Sequence, residues 1–254
     1  MSPVAHFSQD EVERYARHLV LSEVGGPGQQ KLARARVLIV GAGGVGGPAA
    51  LYLTAAGLGR IGLVDADKVS LSNLQRQIQF ATDDIGRSKV EASAERLAAI
   101  NPHVVVQTHP VMLTDATAAD LVADYDIVLD GTDDFATRFA VNAACVAAGV
   151  PLVSGALGRW DGQVAVFDGQ PCYQCLVPDM PPDAETCSRV GVVGALAGVI
   201  GSMAALEVVK LITGAGEPLI GRLMLYDGLH ATARTVKIAA DPSCPVCSSK
   251  ANAA

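Results

Sequence analysis

Apolar residues fall into short runs separated by stretches of helical period. RVLIV at 36–40 has the pattern of a strand buried on both faces. A glycine turn and a helix at about 46–57 follow. IGLVDAD at 61–67 predicts a second strand, HVVVQTH at 103–109 a third, DIVLDGTDD at 126–134 a fourth with an acidic end, and PLVSGAL a fifth. Between them, RSKVEASAERLAAI at 87–100 predicts an amphipathic helix, DATAADLVADY a short one, and the segment at about 135–148 another. This alternation predicts an α/β chain with a Rossmann-like, doubly wound, mainly parallel sheet. Ahead of it, SQDEVERYARHLVL at 8–21 predicts a helix with Ser8 as N-cap and Glu11 completing a capping box. GGPGQQ after it reads as a loop.

Beyond residue 158 the pattern changes. QVAVFD, RLMLYD and TARTVKIA predict strands of a mixed or antiparallel extension. VGVVGALAGVIGSMAAL at 190–206 carries no charge. It falls short of the roughly 20 residues that cross a bilayer, and Glu207 and Lys210 continue its helical pattern. Gly194, Ala197, Gly198, Gly201 and Ala205 recur at three- and four-residue steps, which lets a neighbouring element approach closely. A buried core or subunit-interface helix is expected, with a membrane span as the alternative. The chain reads as a single domain over 1–254: an N-terminal helical segment (1–30), a nucleotide-binding core (36–158) and a third part (159–247). The tail SSKANAA reads as disordered.

With 254 residues, the chain has ample length for a buried core. Half of it is hydrophobic but only 4% aromatic, so Ala, Val, Leu and Ile build that core. A net charge of −7 argues against a general nucleic-acid binder, because counterion release needs clustered Lys and Arg. No cationic start followed by an apolar core marks a secretory signal, so a cytoplasmic location is expected. In that setting metal binding explains the six cysteines better than disulfides do.

GAGGVG at 41–46 follows a strand and opens a helix, with Gly41, Gly43 and Gly46 in the G-x-G-x-x-G positions. Glycine lets backbone N–H groups approach a phosphate, and the helix N-terminus adds partial positive charge. A glycine turn that merely packs a helix on a strand is the plainer reading. Asp65, at the end of the second strand, stands where this fold places a carboxylate on ribose hydroxyls; turn capping by Asp65 or Asp67 is the alternative. A dehydrogenase would suit these features. SNLQRQ suits one less well: Asn73 and Arg76 share one side of a helical turn, and Lys89 opens the next helix. That much cationic character fits a triphosphate whose α-phosphate gains charge during displacement. Taken singly, Arg76 and Lys89 each read first as solvated surface cations. DGTDD at 130–134 lies where ligands sit in this fold, and Asp133 is the candidate Mg²⁺ ligand, with helix capping its alternative and the better reading of Asp134.

CYQC at 172–175 and CPVC at 244–247 offer four thiolates (Cys172, Cys175, Cys244 and Cys247), the set for a closed tetrahedral zinc site tying distant segments together. Redox pairs or free thiols are the alternative. Cys145, inside an apolar helix, reads as core. Cys187 sits in a polar, proline-preceded loop where a reactive thiol could be presented.

Together these segments resemble the ubiquitin-activating E1-like superfamily, and within it the MoeB/ThiF branch that activates sulfur-carrier proteins. The matching parts are RYARHLVL, GAGGVG, VDADKVSLSNLQRQ, GRSKVE, INP at 100–102, DGTDD, PLVSGA, CYQC, TCSRVG and CPVC, in order over nearly the whole chain. The resemblance implies ATP-dependent adenylation of the C-terminal glycine of a small ubiquitin-fold carrier ending in Gly-Gly, for sulfur transfer to molybdopterin, thiamine or related products. It implies that Gly44 and its loop hold ATP, Asp65 the ribose, Ser72 to Arg76 and Lys89 the phosphates, and Asp133 magnesium. Arg17 would reach into a partner subunit's site, hence a homodimer. Cys187 matches a loop cysteine that some members join covalently to their carrier. The third part of the chain would bind the carrier and be braced by zinc. The family's usual Cys-Thr-Asp-Asn is departed from here at Gly131 and Asp134, while Asp133 is retained. No rhodanese-like domain follows residue 254, so a separate sulfur donor is expected. The rival readings are an NAD-dependent oxidoreductase, which leaves SNLQRQ unexplained, and a non-enzymatic, zinc-stabilised nucleotide-binding scaffold.

Overall fold

The computed structural model describes residues 7–180 and 191–248. RVLIV forms β1 (Arg36–Val40), and its alternate residues enter different cores. Val37 and Ile39 join the apolar cluster on one face of the sheet, Leu38 and Val40 the cluster on the other. Burial on both faces is why the run is unbroken rather than alternating. The same division holds in β4 (Ile127–Asp130), where Ile127 and Leu129 face one way and Val128 the other.

With β2 (Arg60–Val64), β3 (Val105–His109) and β5 (Leu152–Leu157), these strands form a parallel half in the order β3-β2-β1-β4-β5. The sheet then turns antiparallel through β6 (Asp161–Phe167), β7 (Arg222–Asp227) and β8 (Thr232–Lys237). One eight-stranded mixed sheet therefore carries both halves. The order reverses between β1 and β4, and the strand ends there open a crevice.

Helices α4 (Gly46–Ala55) and α5 (Lys89–Ile100) cover one face. Helices α6 (Asp115–Ala123) and α7 (Phe135–Ala148) cover the other. The uncharged stretch becomes α9 (Gly194–Thr213), after a short α8 (Tyr173–Leu176). Among the described residues α9 alone is long and apolar enough to cross a membrane. Here it lies against α4 and the sheet, as its small residues predict. A β-carbon on Gly201 would stand 2.5 Å from the Val45 carbonyl oxygen, and one on Gly194 2.1 Å from that of Gln75. Glu207 is buried on this helix, accepts from the Leu219 N–H at 2.7 Å and pairs with Lys210.

The N-terminal segment departs from expectation. Ser8 caps α1 (Gln9–Arg14) and its capping box with Glu11 is present, but Tyr15 breaks the helix before α2 (Ala16–Leu19). GGPGQQ is not a loop: it starts α3 (Gly25–Leu32). Tertiary packing overrides the local glycine and proline signal. Leu32 and Gln29 are fully buried, and the Gln29 carboxamide joins His18 Nδ1 at 2.9 Å and donates to the Ala56 carbonyl at 2.8 Å. INP gains a physical role too. Buried Asn101 donates to the Tyr15 hydroxyl and to the Thr54 carbonyl, each at 2.9 Å, and so ties α5 to the N-terminal segment and to α4.

Candidate active site

Four strand ends frame a cavity of about 390 Å³ at the reversal of strand order. From the turn after β1 come Gly41, Gly43 and Gly44; after β2 come Asp65 and Asp67; the following segment adds Asn73, Arg76 and Lys89; after β4 come Asp133 and Asp134. β2 and β4 end earlier than the sequence suggests, at Val64 and Asp130, so every carboxylate that lines the cavity stands on a loop.

Gly41 adopts φ +89°, which a side chain would strain. Gly46 does not line the cavity. A β-carbon there would meet the Gly41 carbonyl oxygen at 1.9 Å, so this glycine closes the turn on the helix rather than facing a ligand. Ser72 is a second departure: it lies outside the cavity lining, exposed, with its hydroxyl 3.0 Å from that of Ser70. The turn at 71–73 points that hydroxyl back along the chain, and the Ser72 carbonyl serves instead to hold Arg76 Nη1 at 3.0 Å. Asn73 closes the same turn, its Oδ1 accepting from the Ser70 N–H at 3.3 Å.

Asp65 is held by two backbone donors, Ala42 N at 2.9 Å and Asp67 N at 2.8 Å. Burial still pushes its carboxyl above the usual range, only partly offset by Lys89. Lys89 is buried with its Nζ 2.7 Å from Asp67 and 3.7 Å from Asp65, so the solvated-cation reading of this residue fails. Asp134 caps α7, accepting from Thr137 N at 2.8 Å and Thr137 Oγ1 at 2.7 Å, as its position predicted. Asp133 stands exposed on the rim.

Two lining residues escaped the sequence reading. Arg138 is buried, with Nη1 3.3 Å from Asp130 and 3.1 Å from Ser154 Oγ, and it donates to the Gly155 carbonyl at 3.0 Å and to the Thr132 carbonyl. Asp130 in turn accepts from Thr132 N and Oγ1 at 2.9 and 2.7 Å. This network staples the ends of β4 and β5 and fixes the loop that carries Asp133. Its signal was present: an arginine one helical turn past a capping aspartate. Gln77 is the second.

The Sγ atoms of Cys172, Cys175, Cys244 and Cys247 lie within 4.8 Å of one another, with Cys172–Cys244 at 3.6 Å and Cys175–Cys247 at 3.4 Å. Tetrahedral zinc at about 2.3 Å from each sulfur sets neighbouring sulfurs roughly 3.8 Å apart, so the four thiols fit that ion. Burial pushes the Cys172 and Cys247 thiols up, so loading a cation there releases protons. Asn142 of α7 supports the cluster, accepting from Tyr173 N at 2.8 Å with its Nδ2 3.6 Å from Cys172 Sγ. Cys145 is buried core, as expected, and burial raises its thiol strongly. Arg17 is exposed on α2, outside the cavity lining. Cys187, with the rest of residues 181–190, and the tail from 249 lie outside the described residues.

A family model described as the ThiF family matches residues 15–246. The chain belongs to the ThiF family. The sulfur carrier protein adenylyltransferase of Thermus thermophilus is 45% identical over 250 residues, covering 95% of this chain and 92% of that protein. The molybdopterin-synthase adenylyltransferase of Escherichia coli is 44% identical, covering 96% and 99%. Further curated relatives are longer, and the chain spans between 54% and 64% of their length. Among solved ThiF-like folds, Escherichia coli MccB, crystallised with ATP, superposes with a TM-score of 0.79 at 26% identity, over 92% of this chain and 74% of that one.

Proposed function

We propose that this ThiF-family chain is an ATP-dependent adenylyltransferase acting on the C-terminal glycine carboxylate of a small ubiquitin-fold sulfur carrier. The observation that carries the reading is the convergence on one cavity of the glycine turn, Asp65, Asn73, Arg76, Lys89 and Asp133. The adenylyltransferases at 44% and 45% identity over nearly the full chain support it.

In this reading the turn at Gly41, Gly43 and Gly44 offers backbone N–H groups to the phosphates, and Asp65 accepts from the ribose hydroxyls. A carrier carboxylate oxygen attacks the α-phosphorus; the new O–P bond forms as the bond to the β-phosphate breaks, leaving an acyl-adenylate and pyrophosphate. The carboxylate is already ionised, so no general base is required. Arg76, Lys89 and Arg17 of the partner subunit spread the charge that develops on the phosphoryl oxygens. Asp133, an oxygen donor on the rim, suits Mg²⁺, which when bound supplies charge neutralisation at the phosphates. The four cysteines would hold Zn²⁺ with no open position, a structural role. A homodimer and a cytoplasmic location complete the reading, and the sulfur serves molybdopterin, thiamine or a related product. The sulfur would come from a separate donor protein. Cys187 is the candidate for a covalent step with the carrier. Cys187→Ser should then leave adenylation intact and abolish sulfur transfer; unchanged transfer removes this cysteine from the chemistry.

The deciding experiment is ATP–pyrophosphate exchange with carriers ending in Gly-Gly. Carrier-dependent exchange is expected; tight binding of reduced nicotinamide dinucleotide with no affinity for Mg-ATP would overturn the reading. A second result follows from Asp65. Its folded value is raised, so the proton stays on to a higher pH than an ordinary carboxyl allows. Ribose hydroxyls are accepted by the ionised form, so adenosine affinity should fall as the pH falls through that raised value. Calorimetry over a pH series that starts at the ordinary carboxyl range and runs upward checks it, and an Asp65→Asn variant should bind weakly with no such slope.

A further inference from the structure

RYARH at 14–18 spans the break between α1 and α2, and three of its four polar side chains are tied to the body of the fold. Arg14 Nη1 donates to the Ile100 carbonyl at 2.9 Å, and the Tyr15 hydroxyl accepts from Asn101 Nδ2 at 2.9 Å. Tyr15 is only 4% exposed, and a β-carbon on Gly57 would stand 2.5 Å from its ring. His18 Nδ1 lies 2.9 Å from Gln29 Oε1, and the same carboxamide donates to the Ala56 carbonyl. Arg17 differs. It is exposed, and its side chain makes no hydrogen bond or ion pair among the described residues. A helix of four residues does not hold its shape by itself, so these anchors are what fix α2.

We propose that Tyr15 and Asn101, helped by Arg14 and His18, are positioning residues: they hold α2 so that Arg17 is presented to the nucleotide site of a partner subunit. This rests on the adenylation reading above and assigns residues that it leaves without a task. Distance is the first argument. The anchors are Ile100 and Asn101 at the end of α5, and Ala56 and Gly57 at the end of α4. Asn101 also donates to the Thr54 carbonyl, which joins the two helix ends. Both helices start at the cavity, α4 from the glycine turn and α5 at Lys89. Their ten and twelve residues, at about 1.5 Å each, set α2 roughly 15–18 Å from those starts. That is too far for one arginine to serve its own cavity, which Arg17 does not line. Order is the second argument. An arginine gives up freedom when it pairs, and a backbone fixed beforehand lowers that cost. A hydrogen-bonded pair such as Asn101 and Tyr15 sets direction as well as contact, which an apolar pair there would not.

The test is a mutant cycle on the full chain, read as affinity for Mg-ATP and for adenosine by titration calorimetry, and as carrier-dependent pyrophosphate exchange. Arg17→Ala should weaken Mg-ATP by about ten-fold, the loss of one hydrogen bond to a charged group, with adenosine unchanged. Tyr15→Phe keeps the ring against Gly57 and removes only the hydroxyl. It should weaken Mg-ATP by about three-fold and leave adenosine unchanged. In the Arg17→Ala background Tyr15→Phe should add nothing, because the side chain it positions is gone. Asn101→Ala should follow the same pattern with a larger loss; if that chain fails to fold, Tyr15→Phe carries the comparison. Mixing Arg17→Ala with Arg76→Ala chains should restore exchange, since one site of the mixed dimer then holds both arginines. Losses that multiply in the double variant would overturn the proposal, because Asn101 would then act along α5 through Lys89. So would wild-type Mg-ATP affinity in Arg17→Ala or Tyr15→Phe, or mixed chains whose exchange stays low. A wild type that lacks exchange, while its Mg-ATP affinity keeps the non-multiplying pattern, counts against the adenylation reading alone.

Discussion

Arg76→Ala should lower carrier-dependent ATP–pyrophosphate exchange by about 10³-fold, the upper range for removing one preorganised donor from a developing charge. The size follows from Coulomb's law: at about 4 Å and an effective dielectric near 20, one such pairing is worth roughly 4 kcal/mol gross. That energy corresponds to about three powers of ten in rate. The fold should not notice the change. The guanidinium's one hydrogen bond among the described residues is to the Ser72 carbonyl, within its own turn. Its stem rests near Gly44, with Cγ and Cδ 3.6 and 3.7 Å from where a β-carbon there would stand. Half-exposed positions of this kind usually shift stability by little. Arg76→Lys should fall between, because a point charge replaces a planar fork. Steady-state exchange together with thermal melting checks both halves. Exchange that survives Arg76→Ala would remove this arginine from the chemistry, and a collapsed melting curve would make its role structural.

Stripping the zinc that the cysteine tetrad is proposed to hold should have the largest effect on stability. Structural zinc contributes roughly 10–16 kcal/mol of apparent binding energy in small peptide sites, comparable with the ~5–15 kcal/mol that holds a whole domain. Here an independent sheet core remains, so the loss should be concentrated where the tetrad ties two distant segments. Those are α8 and the stretch beyond β8 that carries Cys244 and Cys247. Purified chain should contain one zinc per subunit by atomic absorption. A strong chelator, or Cys244→Ala, should lower the melting temperature and expose the end of the chain to protease. Nucleotide affinity should persist, since four thiolates leave no open position for substrate. A metal-free chain that melts as the loaded one does would sink the structural assignment.

What could be read in one dimension depended on how locally each feature is encoded. β1 and β4 were legible because burial on two faces writes itself as an uninterrupted apolar run. The tetrad was legible because two knuckles with the same gap leave few other uses. Helix α3 was not, since its stability comes from Leu32 and Gln29 meeting distant elements, while the local glycines and proline argue against a helix. The same limit applied within the cavity. Asp65 and Gly41 follow predicted strands at recognisable positions. Arg138 and Gln77 are polar residues that look like any surface residue until the chain folds over them. Ser72 shows the opposite case: it stands inside a motif whose neighbours Asn73 and Arg76 line the cavity, while its own hydroxyl lies beside that of Ser70.

Lys89 carries a further consequence. Its ammonium already has counterions within the fold, since Asp67 and Asp65 lie 2.7 and 3.7 Å away. At Lys89 a lone anion such as chloride or sulfate must therefore compete with carboxylates fixed in place. A ligand that occupies Asp65 with sugar hydroxyls while presenting its own phosphates can loosen that internal pairing and exploit it in the same event. The lysine is in this sense self-quenched, its charge already matched by the carboxylates beside it.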